Sequence, residues 1–591
     1  MSDSSLRTDS SALAALGDDT PTFGVREMLA ALHKMRACEP IDMQLAETCV
    51  RRSDESGNGA MAVALATVIA SRARREGHSA VTLAQLARQG RAAMAIVAAS
   101  MTAERVRTTV ALPEGDEEWW GAALAGSALV SDGTVITPLV LRDRVLQFRR
   151  YYDAERRIAS AVARLVRTPV ATGGAAFSII TGGPGTGKTT RVAELLVDLS
   201  VTQPGLRVSL AAPTGKAAAR LTESIRHRLD VLAEQNGRRA PFPGEARTVH
   251  RLLGYSPQAD TFRSNQHDPL DDDLVIVDEA SMVDALLLDG LLRALKPGAR
   301  LMLVGDHNQL ASVDAGDVLG ALCRSALAAP VGTPLRESVS WLTTSWRFAA
   351  HPAIGTLAAA ILAGDADEVL HVCSDPLTTD IQQRPPAPST DALLEPIVEQ
   401  LERCLTATSP WELLNALDAF RILAPEREGR MGVNGINAAV ERWLARRGHA
   451  VSDFWYHRRP VMVTANDYNT GVFNGDVGVV WREGGRVAVH FRTNDGTIRA
   501  IAPVRLPMSE TAWAMTVHKS QGSEFDTVMV VIPEYESRIM SRELLYTAAT
   551  RARQGVSLVG SPDAIRAAIA RGTERTSGLE GRVREAMGRE H

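Results

Sequence analysis

The sequence predicts an α/β protein in which parallel sheets carry the functional loops and a largely helical region precedes them. From about residue 175, short β-branched runs such as FSIITGG, VSLAAPTG and DLVIVDEA precede Gly-rich or acidic turns. Each run is followed by a helical pattern, and strands that alternate with helices favour a parallel sheet with crossover connections. From about 25 to 165, apolar residues instead recur at three- and four-residue spacing, which predicts helices.

Changes in this pattern predict the domain organisation. Between about 455 and 505, short strands separated by turn signals indicate a small antiparallel β-barrel inserted in the second α/β domain. The predicted segments are a disordered tail at 1–20, a helical domain at 21–145, a first α/β domain at 146–335 with a hairpin insertion at about 255–272, a second α/β domain at 336–450 and 508–572, the inserted barrel at 451–507, and a flexible tail at 573–591.

Composition excludes several classes of protein. No apolar run is long enough to cross a bilayer, and the first residues lack a basic segment followed by an apolar one, so we expect a cytoplasmic protein. The five cysteines, at 38, 49, 323, 373 and 404, lack the spacing of a zinc or iron–sulfur site. The net charge of −4 argues against a chain that is basic throughout, but a local basic groove remains compatible with it.

The run TGGPGTGKTT has the composition and spacing of a phosphate-binding loop. It follows a β-branched run and precedes a helical pattern, so its backbone N–H groups can turn toward the phosphates beside a helix N-terminus. Lys188 is expected to reach the β- and γ-phosphates, and the Thr189 hydroxyl to hold Mg²⁺. The residues expected to bind ATP here are Gly182, Gly183, Pro184, Gly185, Thr186, Gly187, Lys188, Thr189 and Thr190.

An acidic pair ends the strand LVIV. Asp278 and Glu279 would be costly there without a partner, because unpaired carboxylates at a buried strand end are poorly solvated. We expect Asp278 to bind Mg²⁺ and Glu279 to orient and deprotonate an attacking water. The alternative is a pair that only caps the turn. ATP and Mg²⁺ are therefore the expected cofactors.

Lysine is scarce in this chain, where 60 of the 65 basic residues are arginine. The five lysines are Lys34, Lys188, Lys216, Lys296 and Lys519. A lysine that remains against this bias marks a position where a compact ammonium is useful. Three of the five lie in the motifs GTGKTT, PTGKAA and TVHKSQG.

Further motifs resemble those of superfamily-one helicases, in the order that this superfamily uses. They are AAPTGKAAARL, LVGDHNQLASVDAG, TTSWRF, MTVHKSQGSEFD and LLYTAATRAR, and the matches extend from about 147 to 560. The resemblance implies two RecA-like domains. It implies that Gln309 senses the γ-phosphate and that Arg347 and Arg551 reach it across a cleft. A permanently charged guanidinium suits that role, because charge develops on the phosphoryl oxygens.

The same resemblance assigns contacts with the nucleic-acid strand. Small hydroxyls, backbone amides and lysines contact phosphates without reading sequence. The implied contacts are Thr214, Gly215, Lys216, Thr516, His518, Lys519 and Ser520, with Gln521 and Gly522 in the same turn. For His518, a buried hydrogen-bonded histidine is the alternative.

The segment LQFRRYYDAERRIA resembles the element against which these motors place adenine. Gln147 is the implied adenine contact, with Tyr151 and Tyr152 as further candidates. An aromatic helix face that packs in a core is the alternative.

Within the superfamily, the chain resembles the RecD family. The resemblance rests on TVHRLLGYSP, on TFRSNQHDPLDDD, which is placed like a duplex-splitting hairpin, and on NDYNTGVFNGDVGVV in the inserted region. It implies an SH3-like insert and an ATP-dependent 5′→3′ DNA helicase that acts on single-stranded and duplex DNA ends. It also implies RecB-like and RecC-like partners in a heterotrimer, with the helical domain docking on the RecC-like partner and nuclease activity only in the complex.

Two other functions remain open on the sequence. A stand-alone 5′→3′ helicase of the RecD-like type would carry helix–hairpin–helix elements near the N-terminus, and no pair of such turns is evident within 1–165. A scaffold without hydrolysis would need a damaged site, whereas the motif residues are present. RNA is not excluded as a substrate by the motifs alone, because backbone contacts discriminate weakly unless they reach the 2′-OH.

Overall fold

The computed structural model of the chain describes residues 24–52, 57–99, 115–170, 175–237, 241–467, 469–493, 496–573 and 575–588. They form two compact units. Unit 1 consists of the described residues up to Arg157 together with Val313–Gly316 and Arg575–Arg582, and the other described residues form unit 2. The predicted disordered tail at 1–20 lies outside the described residues. Among the described residues, no helix is both long enough and apolar enough to cross a membrane.

Unit 1 combines helices with a small sheet. Met28, Leu29, Leu86, Leu124 and Leu146 are fully buried in its core. The predicted helical character is therefore present, but the structure adds four strands of two to four residues, which are too short for sequence periodicity to reveal. The elements are α1 (Val25–Lys34), α2 (Pro40–Arg51), α3 (Gly57–Arg75), β1 (Val81–Thr82), α4 (Leu83–Ala99), α5 (Glu117–Ala125), β2 (Val130–Ser131), β3 (Leu139–Arg142) and β4 (Val145–Phe148), with sheet order β1-β4-β3-β2. The next helix, α6 (Arg149–Arg167), begins in unit 1 and continues into unit 2.

The flexible tail predicted at 573–591 is wrong for its described part, because Leu579–Gly588 forms a helix. The cause is a buried carboxylate. Glu155 is 1% exposed, and a buried charge requires partners. Ser577 donates its hydroxyl to Glu155 at 2.9 Å, and Arg582 forms an ion pair with the same carboxylate.

Unit 2 begins with a six-stranded parallel sheet that, with its helices at residues 175–342, we call the first lobe. Its strand order is β12-β5-β11-β10-β6-β7. The boundary predicted at 335/336 is wrong, since the strand at 339–342 pairs with the strand that leads into the phosphate loop. The elements are β5 (Phe177–Gly182), α7 (Lys188–Thr202), β6 (Val208–Ala212), α8 (Gly215–Asn236), β7 (Arg247–Thr248), α9 (Val249–Leu252), β8 (Tyr255–Ser256), β9 (Thr261–Phe262), β10 (Leu274–Val277), α10 (Ala285–Ala294), β11 (Arg300–Gly305), α11 (Val318–Ala328), α12 (Pro334–Glu337) and β12 (Val339–Leu342).

The hairpin insertion expected at about 255–272 is present as the antiparallel pair β8 and β9. The rings of Tyr255 and Phe262 lie 5.5 Å apart, and His250 lies 5.3 Å from Tyr255. This aromatic cluster holds the short strands at their base.

The rest of unit 2 forms a second lobe, at residues 352–449 and 512–573, and an inserted antiparallel sheet, which we call the insert. The second lobe has the parallel order β13-β22-β21-β14-β20, and the insert has the order β18-β17-β16-β15-β19. The insert extends beyond the predicted end at 507, because 509–511 pairs with 461–463. The elements are α13 (Pro352–Ala363), α14 (Ala366–Ser374), β13 (Ile381–Arg384), α15 (Thr390–Leu394), α16 (Val398–Thr406), α17 (Pro410–Ala419), β14 (Phe420–Ala424), α18 (Val433–Arg446), β15 (Pro460–Val463), β16 (Val477–Glu483), β17 (Arg486–Arg492), β18 (Ile498–Ile501), β19 (Ser509–Thr511), β20 (Ala514–Thr516), β21 (Phe525–Val531), α19 (Arg542–Ala549), β22 (Ala552–Val559) and α20 (Pro562–Ala570). The last helix, α21 (Leu579–Gly588), begins in unit 1 and ends in unit 2.

Candidate functional site

The phosphate-binding loop lies between β5 and α7, as the sequence predicts. Gly185 and Gly187 have φ values of 71° and 86°, which are accessible to glycine at little cost and let the backbone turn into the helix. Lys188, the first residue of α7, donates its ammonium to the carbonyl oxygens of Gly182 at 2.7 Å and Gly183 at 2.9 Å. The ammonium is thus held against the loop, where the resemblance places the phosphates.

Three threonines complete the loop. The Thr186 hydroxyl donates to the Gly183 carbonyl at 2.9 Å and so braces the turn. Thr189 and Thr190 lie in the first turn of α7, where helix N–H groups have no partner within the helix. This donor set, an ammonium with free N–H groups and a hydroxyl, fits an anionic phosphate with its cation.

The acidic pair follows β10, which is separated from β5 by β11 in the sheet. Burial and the neighbouring carboxylate of Glu279 raise the pKa of Asp278 to about 6, against the opposing effect of Lys188. Glu279 has a φ of 51°, a left-handed conformation that is strained for a non-glycine residue and typical of functional sites. Two crowded carboxylates close to the Lys188 ammonium are suited to a hard divalent cation.

Gln309 and Arg551 meet although they come from different lobes. The Arg551 guanidinium donates to the Gln309 side-chain oxygen at 2.7 Å and to the Thr547 carbonyl at 3.2 Å. Arg551 is 4% exposed and Gln309 is 8% exposed, so the bond lies in the interior. The structure therefore joins two of the residues expected to surround the γ-phosphate.

Arg347 lies in the segment that connects the lobes, and its backbone rests on the phosphate loop. A β-carbon at Gly185 would lie 2.2 Å from the Arg347 β-carbon, and the adjoining Trp346 N–H donates to the Gly185 carbonyl at 2.9 Å. The Arg347 guanidinium is directed to Glu524, at 2.5 Å. Although burial raises the pKa of Glu524, Arg347 and Arg220 outweigh it and lower this pKa. Arg347 is thus near the loop but paired with a carboxylate.

Three residues missed at the sequence level join this site. The Tyr546 hydroxyl donates to Asp306 at 2.9 Å, and the Gln309 amide donates to the same carboxylate at 3.1 Å. Burial and Asp306 raise the pKa of Tyr546, which keeps its proton. Glu524 is the third. The signal for each was its position inside a motif already singled out in the sequence: GDHNQL, LLYTAATRAR and GSEFD.

A cavity of about 710 Å³ adjoins the phosphate loop within unit 2. This volume is within the range of small-molecule sites. The Thr181 hydroxyl and the His307 imidazole, 2.9 Å apart, form part of one wall. Other lining residues include Gly182, Gly183, Trp341, Phe348 and Tyr546.

The first predicted contact with the nucleic-acid strand, at 214–216, lies at the start of α8. Thr214 caps the helix by accepting from the Ala217 N–H at 3.2 Å. Gly215 packs against the insert, since a β-carbon there would lie 2.4 Å from the Phe473 ring. Lys216 donates to the Gly475 carbonyl at 3.4 Å, and burial lowers the pKa of Lys216 to about 8.

The second predicted contact with the nucleic-acid strand, at 516–520, follows β20. The Thr516 hydroxyl accepts from the Lys519 N–H at 3.3 Å, and the Lys519 ammonium forms an ion pair with Glu510 of the insert at 2.6 Å. His518 is half-buried in the same 3-10 turn. Ser520 is fully buried and donates to a carbonyl of its own turn, so the structure gives it an internal role.

The rest of this turn contacts the first lobe. The Gln521 amide donates to the Leu310 carbonyl at 3.1 Å, directly after Gln309. Arg220 of α8 donates to the Gly522 carbonyl. The turn predicted to contact the nucleic-acid strand is thereby linked to two elements of the first lobe, α8 and the segment after β11.

The predicted adenine contacts have internal partners in unit 1. Tyr151 and Tyr152 are 6% and 2% exposed, so the alternative of an aromatic face packed in a core describes them. The Gln147 amide donates to Glu155 at 3.0 Å, and its oxygen accepts from Arg582. An adenine contact by Gln147 would replace these bonds and stays a prediction.

Comparisons with known proteins agree on the family. Family models match as "RecBCD enzyme subunit RecD, N-terminal domain" at 34–146, "AAA domain" at 170–315 and "UvrD-like helicase C-terminal domain" at 511–559. The chain is 37% identical to RecBCD enzyme subunit RecD of Mycobacterium tuberculosis, over 94% of this chain and 96% of that protein. It is 34% identical to the ATP-dependent RecD2 DNA helicase of Deinococcus radiodurans, over 81% of this chain and 62% of that protein.

A solved structure, that of Pif1 helicase from Candida albicans, is similar at 16% identity and a TM-score of 0.39, covering 71% of this chain and 97% of that one.

Proposed function

Because the chain belongs to the RecD family, we propose that it is the ATP-dependent 5′→3′ DNA helicase subunit of a RecBCD-type helicase–nuclease that processes double-strand DNA ends. The observation that carries the proposal is the bond between Gln309 and Arg551 at 2.7 Å. It joins the lobe that holds the phosphate loop to the lobe that would close on the nucleotide. A change at the γ-phosphate can therefore move one lobe relative to the other.

ATP would be held by the phosphate loop, with Lys188 at its phosphates. Thr189 and Asp278 are the ligands proposed for Mg²⁺, which would neutralise charge on the phosphoryl oxygens when bound. Glu279 would accept the proton of the attacking water. Arg347 and Arg551 would stabilise the charge that develops on the transferred phosphoryl group, which requires Arg347 to exchange Glu524 for the nucleotide.

The DNA strand would move because the two lobes bind it in alternation. Thr214–Lys216 and Thr516–Lys519 would contact phosphates of one DNA strand, so sequence specificity should be low. We further propose that the two lobes act as RecA-like motor domains, that the insert is an SH3-like barrel, and that the hairpin of β8 and β9 separates the duplex. Unit 1 would dock on the RecC-like subunit of a heterotrimer that also contains a RecB-like subunit, in the cytoplasm at the nucleoid, and nuclease activity would arise only in that complex.

A stand-alone helicase is the second candidate, favoured by the identity to the RecD2 helicase. That match covers 62% of the RecD2 protein, whereas the match to RecD of M. tuberculosis covers 96% of it. The extent of the alignment therefore favours the RecBCD-type subunit.

The test combines unwinding with purification at native expression. Wild type should unwind a duplex that has a 5′ single-stranded tail and leave one with a 3′ tail intact, and Lys188→Gln should lose hydrolysis by about a hundredfold or more. Preference for the 3′ tail would refute the polarity. Hydrolysis by Lys188→Gln at the wild-type rate would refute the enzyme, and purification of the chain without larger helicase or nuclease partners would favour the stand-alone candidate.

A further inference from the structure

Two cations of the second lobe converge on one carboxylate of the insert. Lys519 donates to one oxygen of Glu510 at 2.6 Å, and Arg427 donates to the other at 2.7 Å. The Glu510 side chain is 19% exposed, whereas that of Arg427 is 59% exposed. The carboxylate is therefore the covered member of the cluster, and Arg427 approaches it from the solvent side.

The topology explains why these cations lie together. β14 and β20 are adjacent parallel strands in which Ala424 pairs with Thr516. Arg427 lies three residues after Ala424, and Lys519 lies three residues after Thr516. Both cations are therefore at the carboxyl edge of the sheet, where open α/β sheets bind ligands. Glu510 arrives from β19, which pairs with β15 of the insert.

The cluster has the chemistry of a phosphate site. A phosphodiester in a nucleic-acid backbone has two terminal oxygens and one negative charge, as a carboxylate does. Arginine and lysine are the cations that bind such groups, the first as a planar fork and the second as a point charge. An ion pair that is partly exposed contributes little to stability, so a phosphate can replace Glu510 at small cost.

We propose that Arg427 and Lys519 together bind one backbone phosphate of the DNA strand, and that Glu510 occupies this phosphate's place when no strand is bound. The inference rests on the proposed function, from which the role of Lys519 comes. It adds Arg427 as a strand contact and gives the insert a part in strand binding. Glu510 then lowers the affinity for DNA, because the DNA strand must displace this carboxylate before the second lobe can bind the phosphate.

The first experiment measures the binding of a fluorescent oligothymidylate to the full chain, purified with any partners that accompany it, at low ionic strength. Glu510→Gln removes the competing charge and keeps the shape, so it should tighten binding by about two- to fivefold, the range for a partly exposed ion pair. The control is Glu402→Gln, which makes the same charge change in an exposed ion pair with Arg447. It should leave the affinity at the wild-type value.

The second experiment asks whether Arg427 is the second ligand. Arg427→Gln should weaken binding in the wild-type background and cancel the gain of Glu510→Gln in the double variant. Thermal midpoints of all variants are recorded, because a structural bridge would lower the midpoint of Glu510→Gln and weaken binding. Unchanged or weaker binding by Glu510→Gln overturns the inference, as does a gain that survives Arg427→Gln.

Failure of the proposed function gives a different pattern. A wild-type chain that binds no oligothymidylate and hydrolyses no ATP contradicts the helicase itself. A wild-type chain that binds and hydrolyses, with Glu510→Gln no tighter, contradicts only the inference.

Discussion

The two lobes of unit 2 are joined in different ways at the two predicted sites. We call the predicted ATP site the nucleotide side and the predicted contacts with the DNA strand the strand side. On the nucleotide side, side chains of the two lobes bond directly, Gln309 to Arg551 at 2.7 Å and Asp306 to Tyr546 at 2.9 Å. On the strand side, the direct bonds between the lobes go to backbone carbonyls, those of Leu310 and Gly522. The insert also contacts each predicted strand contact, through the Gly475 carbonyl at Lys216 and through Glu510 at Lys519.

This difference predicts that substitutions on the two sides have effects of different kind and size. A direct bond between buried side chains has few substitutes, so its loss should abolish the coupling between the lobes. A contact made through the insert is partly exposed and electrostatic, so its loss should adjust strand affinity by smaller factors. Substitutions on each side of unit 2 test this difference.

The largest effect is expected at Arg551. Arg551→Gln should reduce DNA-stimulated hydrolysis of ATP by about a thousandfold, because an arginine that stabilises phosphoryl transfer contributes at least that much. It should also lower the thermal midpoint, because the Thr547 carbonyl and the Gln309 oxygen lose a buried donor. Steady-state hydrolysis and thermal unfolding measure the two effects.

Two further variants separate chemistry from folding. Arg551→Lys keeps the charge but not the fork, so hydrolysis should fall while the midpoint recovers in part. Arg347→Gln should also lose hydrolysis, but with a midpoint near that of wild type, since the Arg347 side chain is 20% exposed. Arg566→Gln, which breaks an exposed pair with Asp367, is the control. Equal midpoints for the two arginine variants would contradict the distinction between a fully buried arginine and a partly buried one.

The nucleotide side could be predicted from the sequence because its chemistry uses contiguous residues. The loop at 182–190 and the pair Asp278 and Glu279 each specify a strand end and a turn, and the resemblance to superfamily-one helicases implies the roles of Gln309 and Arg551. The predicted parallel sheets followed from the same alternation of strands and helices.

The strand side could not be derived in this way, because its contacts are distant in sequence. Lys216 and Gly475 are 259 residues apart, and no periodicity connects them. The prediction of a flexible tail at 573–591 was wrong for the same reason. Glu155 and Arg582 are 427 residues apart, and a polar C-terminal segment gives no sign of the buried carboxylate that orders it.

The next largest effect is expected at Gly215, where α8 meets the insert. Helix propensity favours alanine over glycine, so any destabilisation by Gly215→Ala reports the 2.4 Å approach to Phe473. Overpacking of this kind costs about 1–3 kcal/mol. Thermal unfolding of Gly215→Ala should show a lower midpoint, and Phe473→Ala should remove the clash. If Gly215→Ala destabilises the Phe473→Ala chain by as much as it does the wild type, the contact with the insert is not the cause.

The smallest effect concerns the charge of Lys216. Burial, together with Arg220 and Arg421, lowers its pKa to about 8, against the opposing effect of Asp476 and Asp418. A lysine is cationic below its pKa, so the charge is present at pH 7 and is lost as the pH rises through about 8. Affinity for an oligothymidylate should therefore fall by up to about tenfold between pH 7 and pH 9.

Lys216→Arg isolates this titration, because a guanidinium stays charged over the same range. Its affinity can differ from that of wild type through geometry, but its pH profile should be flat. Lys296→Arg, at a lysine that pairs with Asp273, should keep the wild-type slope. A wild-type profile as flat as that of Lys216→Arg would mean that the strand side does not depend on this charge. In that case, the contact between Lys216 and the insert serves only to hold the first lobe in place.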